Sequence, residues 1–185
     1  PEEIDGFFQP HYQLIHTWRV SHRLTVRNTL FYFTGDGAFQ QLEQDRWFPE
    51  YGLEPFPGAD GQLIDTTDLV RRREVDEWDG GWIPNLEWRH GGGRGSLQAG
   101  AAIRVHSGRH FGFVQWARYY PPDLEPDHRY YDYVLDKTSV QPFVQESWQL
   151  DDRWSLLAGF TWTSHRYDMH DDRINGVELE TSYRY

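Results

Sequence analysis

The chain has no cysteine among its 185 residues. A disulfide scaffold, a thiolate metal site and cysteine catalysis are thereby excluded, while the compartment stays open. There is no run of about 18 apolar residues, and mean hydropathy is −0.79, so a helical membrane span is excluded as well. Basic residues are few. Eighteen Lys and Arg stand against 29 Asp and Glu, a net charge of −11. That is the wrong sign for a nucleic-acid partner, and the acidic excess reads as solvated loops. The chain opens on Pro1 without a signal peptide, which reads as a mature form or an excised fragment.

Aromatic residues are abundant: nine Trp, eleven Tyr and eleven Phe. Their placement is clearest over 138–167. In one segment Val140, Pro142, Val144, Trp148 and Leu150 share a face, with Gln141, Gln145, Ser147 and Gln149 opposite. In the next, Trp154, Leu156, Ala158, Phe160 and Trp162 share a face, and the opposite face is polar except at Leu157. A period of two predicts strands, and Asp151–Asp152 between them predicts a tight hairpin turn. Trp148 and Trp154 flank that turn on the apolar side. An indole ring is satisfied at a membrane–water boundary, and a spanning strand needs only about 9–11 residues. A membrane β-barrel is therefore expected. The alternative is a large soluble antiparallel sheet with an apolar inner face.

The same alternation recurs along the chain. It predicts an all-β fold: an antiparallel meander of about seven long strands, forming a segment of a transmembrane outer-membrane barrel. The strands are expected near 7–20, 23–41, 68–89, 96–117, 131–150, 153–167 and 177–185. Pro10 is expected at a strand end or bulge, since it cannot donate to the ladder. Long loops are expected over 43–66, 118–129 and 168–176, opposite short turns near Ser21, Gly92 and Asp151. Short turns on one rim and long loops on the other are the asymmetry of an outer-membrane barrel. Seven strands is an odd number for such a barrel and points to a partial one. Trp18, Leu24, Trp88, Leu97, Trp148, Leu150 and Trp154 should face outward near the short-turn rim. Arg27, Gln98, Arg104 and Gln145 should face the concave side.

Several stretches carry a family resemblance. They are QPHYQLIHTW, LTVRNTLFYFTGDGAFQQ, DLVRRREVDEWDGGWIPNLEWRHG, AAIRVHSGRHFGFVQWA, RYYDYVLDKTSVQPFVQESWQLDDRWSLLAGFTWTSHRY and NGVELETSYRY. Together they resemble the barrel region of TonB-dependent outer-membrane receptors over nearly the whole of residues 1–185. The resemblance implies a partial barrel without the plug domain and TonB box. It implies outer-membrane lipid and the TonB complex as partners. It also implies import of a scarce nutrient, most often a ferric siderophore or another metal chelate. The alternatives are a passive porin or small structural barrel, and a soluble β-rich carbohydrate-binding or hydrolase domain. A surface for phage or toxin would be compatible with the receptor.

Candidate ligand contacts follow from the alternation. Arg104, His106, His110 and His165 should face the lumen, where histidine could meet a metal chelate. A hydrated polar lining is the plainer reading. Arg71, Arg72 and Arg73, just beyond the largest loop, could attract an anionic substrate. Ion pairing with Glu74, Asp76, Glu77 and Asp79 competes with that role. Trp47, Phe48, Tyr51 and Phe56 could pack on a ligand at the mouth or pack the loop on itself. No catalytic residue, no metal site and no cofactor is expected.

Overall fold

In a computed structural model, residues 4–122, 124, 127–174 and 177–184 are described. They form an antiparallel sheet with no α-helix. The strands are β1 (Ile4–Phe8), β2 (His11–Arg19), β3 (Leu24–Trp47), β4 (Phe56–Pro57), β5 (Leu63–Ile64), β6 (Thr66–His90), β7 (Gly95–Ala117), β8 (His128–Gln149), β9 (Ser155–Thr161), β10 (Ser164–Ile174) and β11 (Val177–Arg184). The main sheet runs β1–β3–β6–β7–β8–β10–β11, with β2 also on β3 and β9 also on β8. Only β4 and β5 stand apart, as a two-residue hairpin.

Two expected strands are each interrupted once without losing register. β1 and β2 pair β3 in one continuous register, from Phe8↔Asp36 to His11↔Phe33. The gap falls at Pro10, which has no N–H for the ladder. Likewise β9 and β10 keep one register on β8, from Thr161↔Phe143 to Ser164↔Val140. That gap lies opposite Pro142, whose carbonyl still accepts from Trp162 N–H at 3.1 Å. The molecule therefore has seven antiparallel arms in meander order. Among the described residues no pairing joins the first arm to the last, so the sheet is open.

The expected boundaries differ most at one place. The acidic stretch 168–176 was expected to be a loop. Instead β10 continues to Ile174, paired with β8 and then with β11. Charge marked this stretch as a loop, but a strand in water tolerates charge on both faces. Here His170 Nε2 lies 3.0 Å from Asp136 Oδ2. Asn175 and Gly176 lie outside the described residues. The largest loop is also shorter than expected, because β3 runs on to Trp47 and β6 begins at Thr66.

The short turns are built by local chemistry. Ser21 Oγ accepts from the Arg23 and Leu24 amides. Asp151 Oδ1 accepts from the Arg153 and Trp154 amides at 2.8 Å each. Between β6 and β7, Gly91, Gly92 and Gly93 take φ of 58°, 70° and 93°, a left-handed run that only glycine adopts without strain.

Little of the sheet has a conventional core. The buried cluster is Phe48, Tyr51, Leu53, Leu69, Val114 and Tyr130, at the long-loop end. There the segment after β3 makes a turn of 3₁₀ helix (Phe48–Tyr51), closed by Gly52 at φ 64°, and folds back onto β6 and β7. Total accessible surface is 12572 Å². A compact monomer of 22.0 kDa would expose about 9,300 Å². The excess is an uncovered sheet face.

Candidate functional site

Register decides which side chains share a face. One face carries the row Trp18, Val26, Leu86, Ala99, Val144 and Phe160. Nearer the middle it carries Leu14, Leu30, Trp82, Ile103 and Val140. Toward the long loops come Tyr12, Tyr32 and Val105, where Tyr32 stacks on Trp78 at 6.3 Å. Toward the short turns come Trp88 and Trp148, both in tilted ring contact with His90, with centroids under 5 Å apart. Past Trp78 the same face turns charged, with Asp36 opposite Asp76 and Asp76 opposite Arg109.

The outward set expected from sequence falls on this apolar face. Leu97 is opposite Trp88 and Trp148 is opposite Gly95. Arg27, Gln98, Arg104 and Gln145 fall on the other face, with Gln98 opposite both Glu87 and Gln145.

That second, polar face brings four of the candidate residues together. Arg104, His106 and His110 alternate along β7, and Arg104 lies in one row with Ser139 and His165. Asp79 organises them. Its side chain is 1% exposed, and it accepts from Arg104 through both oxygens, the Nη2–Oδ2 distance being 2.6 Å. His106 Nδ1 lies 2.9 Å from Asp79 Oδ2. The guanidinium of Arg104 also sits over Phe33, which stacks on His11 at 4.6 Å and on Phe31 at 6.5 Å. His165 Nδ1 lies 3.0 Å from Ser139 Oγ.

Phe31 and Phe33 interrupt the polar alternation of β3, and the partner strand explains the first of them. Phe31 stands opposite Gly81 and its ring fills the space a side chain there would take.

His110 lies four residues beyond His106, stacked on Tyr133 at 5.1 Å. Burial pushes its imidazole below its ordinary value, against the pull of Glu77, and so favours the neutral form. A bulge at Tyr130 turns two successive tyrosines toward Gly112 on this face. Burial pushes the Tyr131 hydroxyl up to about 12. The rings of Tyr51, Tyr130, Tyr131 and Tyr133 then form a ladder with centroid spacings of 4.9, 4.9 and 5.9 Å.

The other candidates are placed differently. Arg71 pairs with Glu43 at 2.5 Å, across β3. Arg72 pairs with Glu74, also at 2.5 Å. Arg73 donates from Nε to the Tyr130 hydroxyl at 3.2 Å. Tyr51 is 2% exposed inside the buried cluster, and Phe48 and Phe56 stack there at 6.0 Å, so these aromatics pack the loop onto the sheet. Trp47 is half exposed and apart from them. Among the described residues no three His, Asp or Glu side chains are grouped to hold a metal ion.

Sequence reasoning passed over Asp79 as a partner of Arg104. The signal was present: a hairpin folded about the glycines 91–93 puts position 79 opposite 106, with 104 diagonal to it. Removing this carboxylate leaves Arg104 without its acid. Asp79→Ala is expected to cost about 2 kcal/mol, below the range for a fully buried pair because Arg104 is half exposed. Urea unfolding of the folded protein measures it; an unchanged midpoint would show that the pair is not structural.

No family model matches the chain, and no curated protein matches it.

Proposed function

We propose that this chain is wall from an outer-membrane β-barrel, with its apolar face in lipid and its polar face lining the lumen. The observation that carries this reading is the apolar face itself. It runs across six arms, interrupted only by the facing pair His16 and Asn28, where Asn28 Oδ1 accepts from Trp82 Nε1 at 3.1 Å, and nothing among the described residues covers it. From Leu24 to Thr34 is about 34 Å of strand at about 3.4 Å per residue. At a tilt of about 40° this projects to about 26 Å, close to the hydrocarbon band of such barrels. Two aromatic girdles bound it: Trp18, Trp88 and Trp148 on one side, Tyr12, Tyr32 and Trp78 on the other. A soluble sandwich would need a second sheet over this face. No helix among the described residues is long and apolar enough to cross a membrane, which says nothing about strands.

Within that setting the chain is read as part of an active-transport receptor that imports a nutrient with energy from the TonB complex. The resembling motifs support this, as does strand length. β3, β6, β7 and β8 have 24, 25, 23 and 22 residues, about twice what a bilayer needs, so the wall rises well above the membrane. Among the described residues both edges of the sheet are unpaired, and unpaired backbone groups cost several kcal/mol each in lipid, so this reading calls for further strands to close the barrel.

Lipids brominated at mid-chain test the membrane assignment in the full-length protein. Trp82 and Trp162, both on the apolar face between the girdles, are expected to account for the largest share of tryptophan quenching, and replacing both with Phe to remove that share. Trp47→Phe should leave the quenching intact. Undiminished emission in these lipids would remove the barrel reading. Uptake that persists after the inner-membrane proton gradient is collapsed would replace the receptor with a passive porin.

A further inference from the structure

On the polar face, above the girdle of Tyr12, Tyr32 and Trp78, lies an open cleft of about 460 Å³. Its lining includes Phe7, Tyr131, Tyr133, His110, Arg73 and Glu77. The size falls within the ordinary range of ligand sites, about 300–1,000 Å³. We propose that this cleft binds a neutral saccharide, a proposal that rests on the reading of the polar face as a lumen.

The shape comes first. Phe7, Gly37, Val75 and His110 occupy one row across β1, β3, β6 and β7, and Tyr133 follows on β8. The two ring-bearing sides are about 14 Å apart, three strand spacings of about 4.8 Å. On β3 the Phe7 ring itself covers Gly37, and between that ring and the His110 side the floor is Val75. The Phe7 ring lies across Gly35 and Gly37, and a Cβ at Gly35 would stand only 2.8 Å from it. Any larger residue at these two positions would lift the ring off the floor. Phe7 is 55% exposed and contributes to no buried cluster. An apolar ring held flat and open to solvent beside a lumen is a stacking platform for the C–H face of a sugar.

The polar groups decide the charge of the ligand. Arg73 spends its Nε on Tyr130, and among the described residues no carboxylate lies within ion-pair distance of it. Its two terminal nitrogens form a fork of donors. Glu77 accepts a hydrogen bond from Gln9 at 3.3 Å and forms no ion pair among the described residues. Asp5 also lines the cleft, while Glu74 is taken up by Arg72. Two carboxylates therefore face one guanidinium, and burial favours the neutral form of His110. A ferric chelate of several negative charges would meet Asp5 and Glu77, and a cation would meet Arg73. A polyhydroxyl ligand uses both signs, donating to the carboxylates and accepting from the guanidinium, with ring faces stacked on Phe7 and Tyr133.

Calorimetry on the full-length protein in detergent tests this with maltohexaose, cellohexaose and xylohexaose as probes, and a ferric tris-catecholate as the competing class. At least one hexasaccharide is expected to bind. Phe7→Ala and Arg73→Gln should each weaken that binding about tenfold, the scale of one charge-assisted hydrogen bond or one stacking face. Trp47→Phe, outside the cleft, should not. Heat-modifiable gel migration checks that each variant is folded. The proposal is overturned if none of the three sugars binds, or if both cleft substitutions leave sugar affinity unchanged. It is also overturned if the ferric chelate binds and the same substitutions weaken that binding. Retained lipid quenching alongside any of these results would leave the barrel standing and sink the saccharide site alone.

Discussion

Leu30→Arg is expected to cost about 2–4 kcal/mol of folding stability in lipid, while Thr29→Arg, one residue away, costs less than about 1 kcal/mol. The contrast rests on the pleat. Leu30 stands opposite Leu14 and Trp82, between the two aromatic girdles and next to the row of Tyr12 and Tyr32. A guanidinium there has no aqueous route except by distorting the bilayer or the strand. Thr29 faces the other way, opposite Ile15 and Ile83, in the row next to the one that carries Phe31, Arg104 and Ser139. An arginine placed at 29 extends into the lumen and keeps its water. The comparison is made by denaturant titration of the protein refolded into vesicles. Equal costs at the two positions would mean that the two faces meet the same medium, and the lipid assignment would fail.

Phe48→Ala is expected to have the largest effect on a single region. Phe48 is 0% exposed, stacked on Phe56 and packed with Leu69 and Val114. Truncating a fully buried phenylalanine costs about 3–5 kcal/mol in lost transfer energy and cavity formation. The cost falls on a segment with few other anchors. Between β3 and β6 the chain is held by this cluster, by the short β4–β5 hairpin, and by single bonds such as His128 Nε2 to the Tyr51 carbonyl at 2.9 Å. The long ladders between β3, β6 and β7 do not depend on it. Local release of residues 48–65 is therefore expected, with the sheet intact. Limited proteolysis should cut the variant within this loop many times faster than the parent. Global unfolding, or no change in cleavage, would show that the cluster is respectively a general core or dispensable.

Much of the architecture was legible before any coordinates. Alternation located all seven arms, because a strand with two different faces writes its period into the chain. Placement of the short turns was equally plain, since Ser21, Asp151 and the glycines at 91–93 close their own hydrogen bonds or supply their own left-handed backbone. The acidic stretch at 168–176 reads as irregular chain by its charge, yet it is paired strand as far as Ile174. Beyond the apolar band a strand is solvated on both sides, and Asp136 with His170 shows charge carried within paired strands.

The candidate site was only half legible. Parity put Arg104, His106, His110 and His165 on one face. It did not reveal that Asp79 holds two of them, that Arg71 is taken up by Glu43, or that Tyr51 is buried against Tyr130. Phe7 drew no notice, because a single phenylalanine near a strand end looks like any other apolar residue. It becomes a platform only where Gly35 and Gly37 pass beneath it on the neighbouring strand.

By itself, the sequence determined the strand class, the apolar and polar faces, the tight turns and the absence of thiol chemistry. These are local properties, set by side-chain period and by bonds between residues a few positions apart. Tertiary structure alone decided the cross-strand partners and the burial of the loop aromatics. Those depend on register across turns and on residues 20 to 80 positions apart, as with Asp79 and Arg104 or Tyr51 and His128. A shift of one residue in any hairpin would exchange every such pairing while leaving the period of each strand unchanged.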